Sequence, residues 1–157
     1  MQAKTQNIFI SHACIKTKFY LILNHYFFKS KSIMNIPTDL LYTKSHEWIR
    51  VEDGIGVIGI TDFAQHELGE VIFIEIETVG ETLQKEETFG TIEAVKTVTD
   101  LLMPVGGEVL EANAELENTS SLINSDPYGK GWLIKIKIAD TTEISNLMSA
   151  EEYKGIV

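Results

Sequence analysis

The stretch WLIKIKI, residues 132–138, alternates: Trp132, Ile134, Ile136 and Ile138 face one way and Lys135 and Lys137 the other. A period of two suits an extended strand with one buried face, because successive side chains of a strand point to opposite sides of its sheet. Other short runs have the same character. EWIRV is followed by the turn signal EDG and then by IGVIGI. VIFIEI, residues 71–76, is β-branched and aromatic, as a buried strand requires. One short helix is expected at TDFAQHELG, with Thr61 or Asp62 capping its start and Gly69 supplying the left-handed residue at its end. Helix returns near the C-terminus in TEISNLM and in SAEEYKGI, where Ser149 and Glu152 stand at capping-box spacing. ENTSSLINSDPYGKG reads as a long, turn-rich connection. GEVI at Gly69 and GEVL at Gly107 both open strands, one on each side of Lys96. Two similar strand sets meeting at a central hairpin predict a mainly β, quasi-twofold sandwich or barrel.

Charge divides the chain. Residues 1–33 hold five lysines and no acid, whereas 34–157 hold eight basic and 23 acidic residues, a net charge of −15. A body that acidic does not suit nucleic acid or an anionic membrane, since phosphate contacts need Lys and Arg. The apolar run FYLILNHYFF, residues 19–28, is interrupted by Asn24 and His25 and is shorter than the roughly 20 residues a membrane helix needs. The KSKSIM that follows lacks a small-x-small cleavage site, and the segment has the lack of acids of an organellar presequence but not its arginines. Residues 1–33 are therefore expected to stand outside the core, either as an extension upstream of a start at Met34 or as a targeting segment. The body, 34–157, forms one domain. The single cysteine, Cys14, falls in the first segment, so the body has no disulfide, CxxC motif or thiol nucleophile.

GTIEAVKTVTD, residues 90–100, sets one lysine among apolar, β-branched and acidic neighbours. TFGTIEAV and VTDLLMP are strand-capable runs, which puts Lys96 at or near the tip of a hairpin. A lysine there is solvated and projects freely. The bland reading is a surface lysine balancing Glu93 and Asp100.

EAVKTVTD resembles the lipoyl-attachment motif of the glycine cleavage system H-proteins, commonly Glu-Ser-Val-Lys-Ala-x-Ser-Asp. Ala94, Thr97 and Thr99 replace its small residues with other small ones. YTKSHEWIR, VGITDFAQHELGEV, PVGGEVLEAN, INSDPYGKGWLIKIKI and LMSAEEYK are similar to the family's successive blocks, in the same order, over residues 35–156. The resemblance implies a barrel-sandwich hybrid of the lipoyl-domain type with a short internal helix and C-terminal helices. It implies a carrier, not an enzyme, with lipoate held as an amide on Lys96 in the attachment context of Glu93 and Val95. Such an arm is roughly 12–15 Å long when extended, and its strained dithiolane opens readily.

In the cycle so implied, a pyridoxal-phosphate glycine decarboxylase (P-protein) loads an aminomethyl group. A tetrahydrofolate-dependent aminomethyltransferase (T-protein) takes the one-carbon unit, dihydrolipoamide dehydrogenase (L-protein) reoxidises the arm, and a lipoyl-attaching enzyme installs it. Ser45, Glu47 and Asp100 match positions where the loaded arm folds into a surface cleft, two carboxylates and a hydroxyl suiting a protonated amine. A cytoplasmic location follows for a bacterial-type protein, or a mitochondrial one if 1–33 is a presequence. The same fold would also serve a lipoyl relay or an unmodified scaffold. His46 and His66 have no metal-ligand spacing, and no metal site is expected. Trp48 and Trp132 read as core or cleft-wall residues, and SDPYG as a structural turn.

Overall fold

The structure, a computed structural model, describes residues 34–157; the segment 1–33 and Cys14 lie outside the described residues. In chain order the strands are β1 (Leu41–Tyr42), β2 (Glu47–Glu52), β3 (Ile55–Ile60), β4 (Val71–Glu75), β5 (Thr82–Leu83), β6 (Thr88–Ala94), β7 (Val98–Leu102), β8 (Gly107–Ala112) and β9 (Ile134–Ile138). They make two antiparallel sheets, one ordered β1-β2-β3-β9-β8-β5 and the other β4-β6-β7. The architecture is the mainly β sandwich that the alternation predicts.

The main core joins the inner faces of both sheets. Ile49, Ile58, Ile134, Ile136 and Val109 come from the six-stranded sheet, and Ile74, Ile92, Ala94 and Leu101 from the three-stranded one. Ile134 and Ile136 are fully buried, and complete burial of such a side chain contributes about 2 kcal/mol. A second cluster of Leu40, Tyr42, Trp48, Ala150 and Tyr153 forms on the opposite face of β2. The pleat explains the division, since Ile49 and Trp48 are adjacent and point opposite ways. Trp48 lies against Gly59, its cross-strand partner, where any Cβ would come within 2.7 Å of the indole. Its indole N–H donates to the Pro127 carbonyl at 3.1 Å, which gives SDPYG a structural role.

Helix α1 (Asp62–Leu68) is capped by the Thr61 side chain, which accepts from the Ala64 N–H, and ends at Gly69 with φ +80°. The ψ there, −152°, is extended, so Gly69 redirects the chain without forming the expected left-handed helical cap. The turn-rich connection holds two single-turn helices, α2 (Glu115–Asn118) and α3 (Leu122–Ser125). Most of TEISNLM is helical as expected, in a 3₁₀ helix, Thr141–Asn146. Helix α4 (Ala150–Lys154) carries the full Ser149–Glu152 capping box.

β4 departs from expectation. Val71 and Ile74 are buried, but Ile72 and Phe73 are 56% and 52% exposed. The pairing of β4 with β6 shifts register between Val71 and Phe73, which turns two neighbouring side chains outward on an edge strand. Trp132 is half-buried just before β9, with the Lys135 ammonium 4.6 Å from its ring centre.

Candidate functional site

β6 and β7 form the expected hairpin. Glu93 pairs with Val98, and the Ala94 N–H donates to the Thr97 carbonyl at 2.9 Å, leaving Val95 and Lys96 as the tip. Neither tip residue has a positive φ, so the turn needs no Gly or Asn, and the sequence has none there. The tip rests on the chain after α1, where the Val95 N–H donates to the Glu70 carbonyl at 3.0 Å. The Lys96 side chain is exposed and runs over Gly69; a Cβ on that glycine would stand 3.5 Å from Cε and 3.8 Å from Nζ. Among the described residues Lys96 makes no ion pair, with Glu93, Asp100 or any other acid. Val95 is 65% exposed, and Glu93 is exposed on the outer face of β6.

The cleft residues divide. Ser45 and Glu47 are together in the turn between β1 and β2 and at the start of β2. Glu47 is only 2% exposed. Its Oε2 accepts from the hydroxyls of Thr43 and, at 2.7 Å, Ser45, while Oε1 accepts from the Leu102 N–H at 3.4 Å. Among the described residues no Lys, Arg or His pairs with this buried carboxylate. A charge out of water without a counter-ion is costly, and here hydrogen bonds alone hold it. Asp100 stands apart, exposed on β7 and sharing no hydrogen bond with Ser45 or Glu47. It lies on the same face of β7 as Leu102, two residues nearer the hairpin tip. Leu102, Met103, Pro104, Leu147 and Met148 join Thr43 and Ser45 in lining a cleft of about 500 Å³.

Behind the cleft turn, His46 takes a positive φ of 74°. Its Nδ1 lies 2.7 Å from the Tyr153 hydroxyl, which lies 2.8 Å from Thr61 Oγ1. Burial lowers the His46 pKa below its ordinary value, with Glu47 and Glu67 opposing the shift. Burial also pushes the Tyr153 phenol up to about 12. His66 is exposed on α1, where its Nδ1 lies 3.1 Å from Asp62 Oδ1 and 2.6 Å from Gln65 Nε2. Among the described residues no group of three His, Cys, Asp or Glu side chains is arranged to hold a metal.

Two contributors were not singled out from sequence. Thr43 both donates to Glu47 and accepts from its N–H at 3.0 Å. The TKSHE spacing was its only signal, a hydroxyl four residues before an acid. Asn124 bonds the chain beneath the hairpin tip, and INSD gave no sign of that.

A small two-sheet domain with an exposed, unpaired lysine at a tight hairpin tip has the lipoyl-domain-like fold that the resemblance implies. The sequence model for "Glycine cleavage H-protein" matches residues 40–157. The chain is 56% identical over 124 residues to the glycine cleavage system H protein of Bacteroides thetaiotaomicron, covering 79% of this chain and 98% of that one. It is 51% identical over 120 residues to that of Halothermothrix orenii, covering 76% and 94%. The crystal structure of a glycine cleavage system H protein from Mycobacterium marinum superposes with a TM-score of 0.71 at 37% identity, covering 76% of this chain and 97% of that one. The chain belongs to the glycine cleavage H-protein family.

Proposed function

We propose that the chain carries lipoate as an amide on Lys96 and ferries the aminomethyl group of glycine between the enzymes of the glycine cleavage system. The observation that carries this reading is the Lys96 amine, exposed and unpaired at a two-residue tip within the EAVKTVTD motif. Its partners are then the P-, T- and L-proteins and the enzyme that attaches the arm. The relatives it matches are bacterial, which favours a cytoplasmic carrier.

The residues present fit the group. Lysine with an amide-linked lipoyl chain reaches roughly 12–15 Å from its backbone. Four residues of strand, Lys96 to Asp100, span about 13 Å, so the end of the arm reaches Asp100, two residues short of Leu102 in the cleft lining. When bound, the group would supply a dithiolane whose S–S bond opens as it takes the carbon fragment together with its electron pair, leaving a dithiol that later gives up two electrons on reoxidation. The chain's own residues orient and shelter the cargo. Thr43, Ser45 and the Leu102 N–H fix the Glu47 carboxylate in place, with Oε1 accepting only one long hydrogen bond. That oxygen can accept from a protonated amine, and Asp100 adds a second negative charge on the way in. Leu102, Met103 and Pro104 add apolar surface to the lining of the neighbouring cleft. No residue of the chain acts as an acid, base or nucleophile in this scheme.

The test is intact-mass analysis of the protein incubated with lipoate, ATP and a lipoate–protein ligase. One lipoyl amide at Lys96, followed by exchange of glycine carbon with the P-protein, is the expected result. No mass gain, or gain at another lysine, would reject the reading.

A further inference from the structure

The lysine-bearing tip sits on a platform, and the platform is fastened from behind. The segment Gly69–Ile72 connects α1 to β4. On one side it meets the hairpin, through the Val95 N–H on the Glu70 carbonyl and the Lys96 side chain over Gly69. On the other side it meets the long connection. Asn124, on α3, donates from Nδ2 to the Gly69 carbonyl at 2.8 Å and accepts at Oδ1 from the Val71 N–H at 3.0 Å. These two bonds bracket Glu70, the residue that receives the tip. Nδ2 also donates to Gln65 Oε1 at 3.0 Å, and Gln65 is 6% exposed. Ser120 adds its hydroxyl to the carbonyls of Val71 and Ile72, at 3.0 and 3.1 Å.

This bracket adds to strand pairing where that pairing is irregular. Beside it the β4–β6 ladder is broken by the register shift between Val71 and Phe73. Gly69 adopts a φ of +80°, a conformation that favours glycine, and Lys96 lies across it. Without the bracket, the tip would rest on an irregular segment through the Val95–Glu70 hydrogen bond and the Val71–Ala94 pair alone. A group that must be presented to an enzyme loses rate steeply when it is displaced.

We propose that Asn124 is a positioning residue for modification of Lys96. By fixing Gly69 and Val71 on either side of Glu70, it sets the height and direction at which the hairpin tip offers its amine to the lipoyl-attaching enzyme. The inference rests on the assignment of Lys96 as the lipoylated residue. It adds that recognition of the site depends on a side chain 28 residues away in sequence, outside the motif.

The experiment compares the full chain with Asn124→Ala, using a purified lipoate–protein ligase, lipoate and ATP, and follows intact mass. Amide hydrogen exchange at Val95 and thermal unfolding are measured on the same samples. Asn124→Ala is expected to lower kcat/KM for lipoyl transfer by about tenfold, to speed exchange of the Val95 amide, and to keep a cooperative unfolding transition. Transfer within twofold of the unaltered protein overturns the proposal, as does slowed transfer with unchanged Val95 exchange. If Asn124→Ala fails to fold, Ser120→Ala, which removes only the hydroxyl on Val71 and Ile72, decides by the same two readouts. Failure of the unaltered protein to gain a lipoyl group at Lys96 would instead reject the assignment of the site.

Discussion

The Tyr153 hydroxyl lies 2.7 Å from Nδ1 of His46, across 107 residues of chain. One proton pattern satisfies the whole chain of contacts: Thr61 donates to Tyr153, and Tyr153 donates to a neutral His46. Thr61 remains free to accept from the Ala64 N–H and cap α1. Burial holds the His46 pKa below the ordinary value of about 6.5. The folded state therefore resists a proton that the unfolded chain accepts. Stability from this group is fully present above about pH 6.5 and is lost as pH falls through the depressed folded value. Denaturant unfolding at about pH 7.5 and about pH 5.5 should show the loss. His46→Asn, a residue that tolerates the positive φ, should lose less between the same two conditions. An equal loss in both proteins would remove His46 from the pH dependence.

Lys96→Arg is expected to abolish lipoylation while changing stability by no more than about 0.5 kcal/mol, because the tip is exposed. Arginine keeps the charge but has no amine that can be acylated. Intact mass and thermal unfolding measure the two halves. A Lys96→Arg protein that still gains one lipoyl group would refute the site.

Glu47→Gln should leave attachment at Lys96 intact and shorten the lifetime of the aminomethyl-loaded protein. The substitution removes the buried charge and turns an acceptor toward the donors Thr43 and Ser45 into an amide. Some loss of stability, about 1–2 kcal/mol, accompanies it. Release of formaldehyde and ammonia from loaded protein is the measurement, and an unchanged rate would show that the carboxylate does not hold the amine.

Ser149→Ala should lower the unfolding temperature by a few degrees. The Ser149 hydroxyl accepts from the Glu152 N–H and the Glu152 carboxylate accepts from the Ser149 N–H at 2.8 Å. The helix they start contributes Ala150 and Tyr153 to the cluster around Trp48. Tryptophan fluorescence should therefore report the loosened helix, with Lys96 still modified at its normal rate.

A chain beginning at Met34 is expected to unfold at the same temperature as the longer one and to accept lipoate equally well. The motive is the change at that point from a basic, unpatterned segment to an acidic, patterned body. Thermal unfolding and lipoyl transfer on both chains test it, and a lower unfolding temperature for the shorter one would assign the segment a structural role.

The parts of the fold legible in sequence were those with repeated or paired local signals. β9 announced itself by alternation, α1 by Thr61 and Gly69, and α4 by the Ser149–Glu152 spacing. The hairpin was legible from two strand-like runs, though its turn carried no turn residue. α2 and α3 were not, because four residues are too few to display a helical period, and their N-cap positions, Ala114 and Ser121, make no side-chain capping bond. Phe73 was misjudged because a bulge, which depends on the partner strand, decides which way it points. Within the site, residue types suggested an acid near the cleft. That Glu47 is buried, and that Thr43 and Leu102 hold it, depends on contacts between β2 and the distant end of β7.

Ile36 and Val157 both pack against the Trp48 cluster. The two ends of the described chain therefore converge on one knot of side chains, and in topological terms the domain is close to a ring. Joining those ends with a short linker and reopening the chain at the exposed Asp53–Gly54 turn would leave every strand pairing intact. The order in which the elements are strung is thus partly separable from the shape they make, and the break belongs at an exposed turn that spares the strands, the lysine hairpin and its platform.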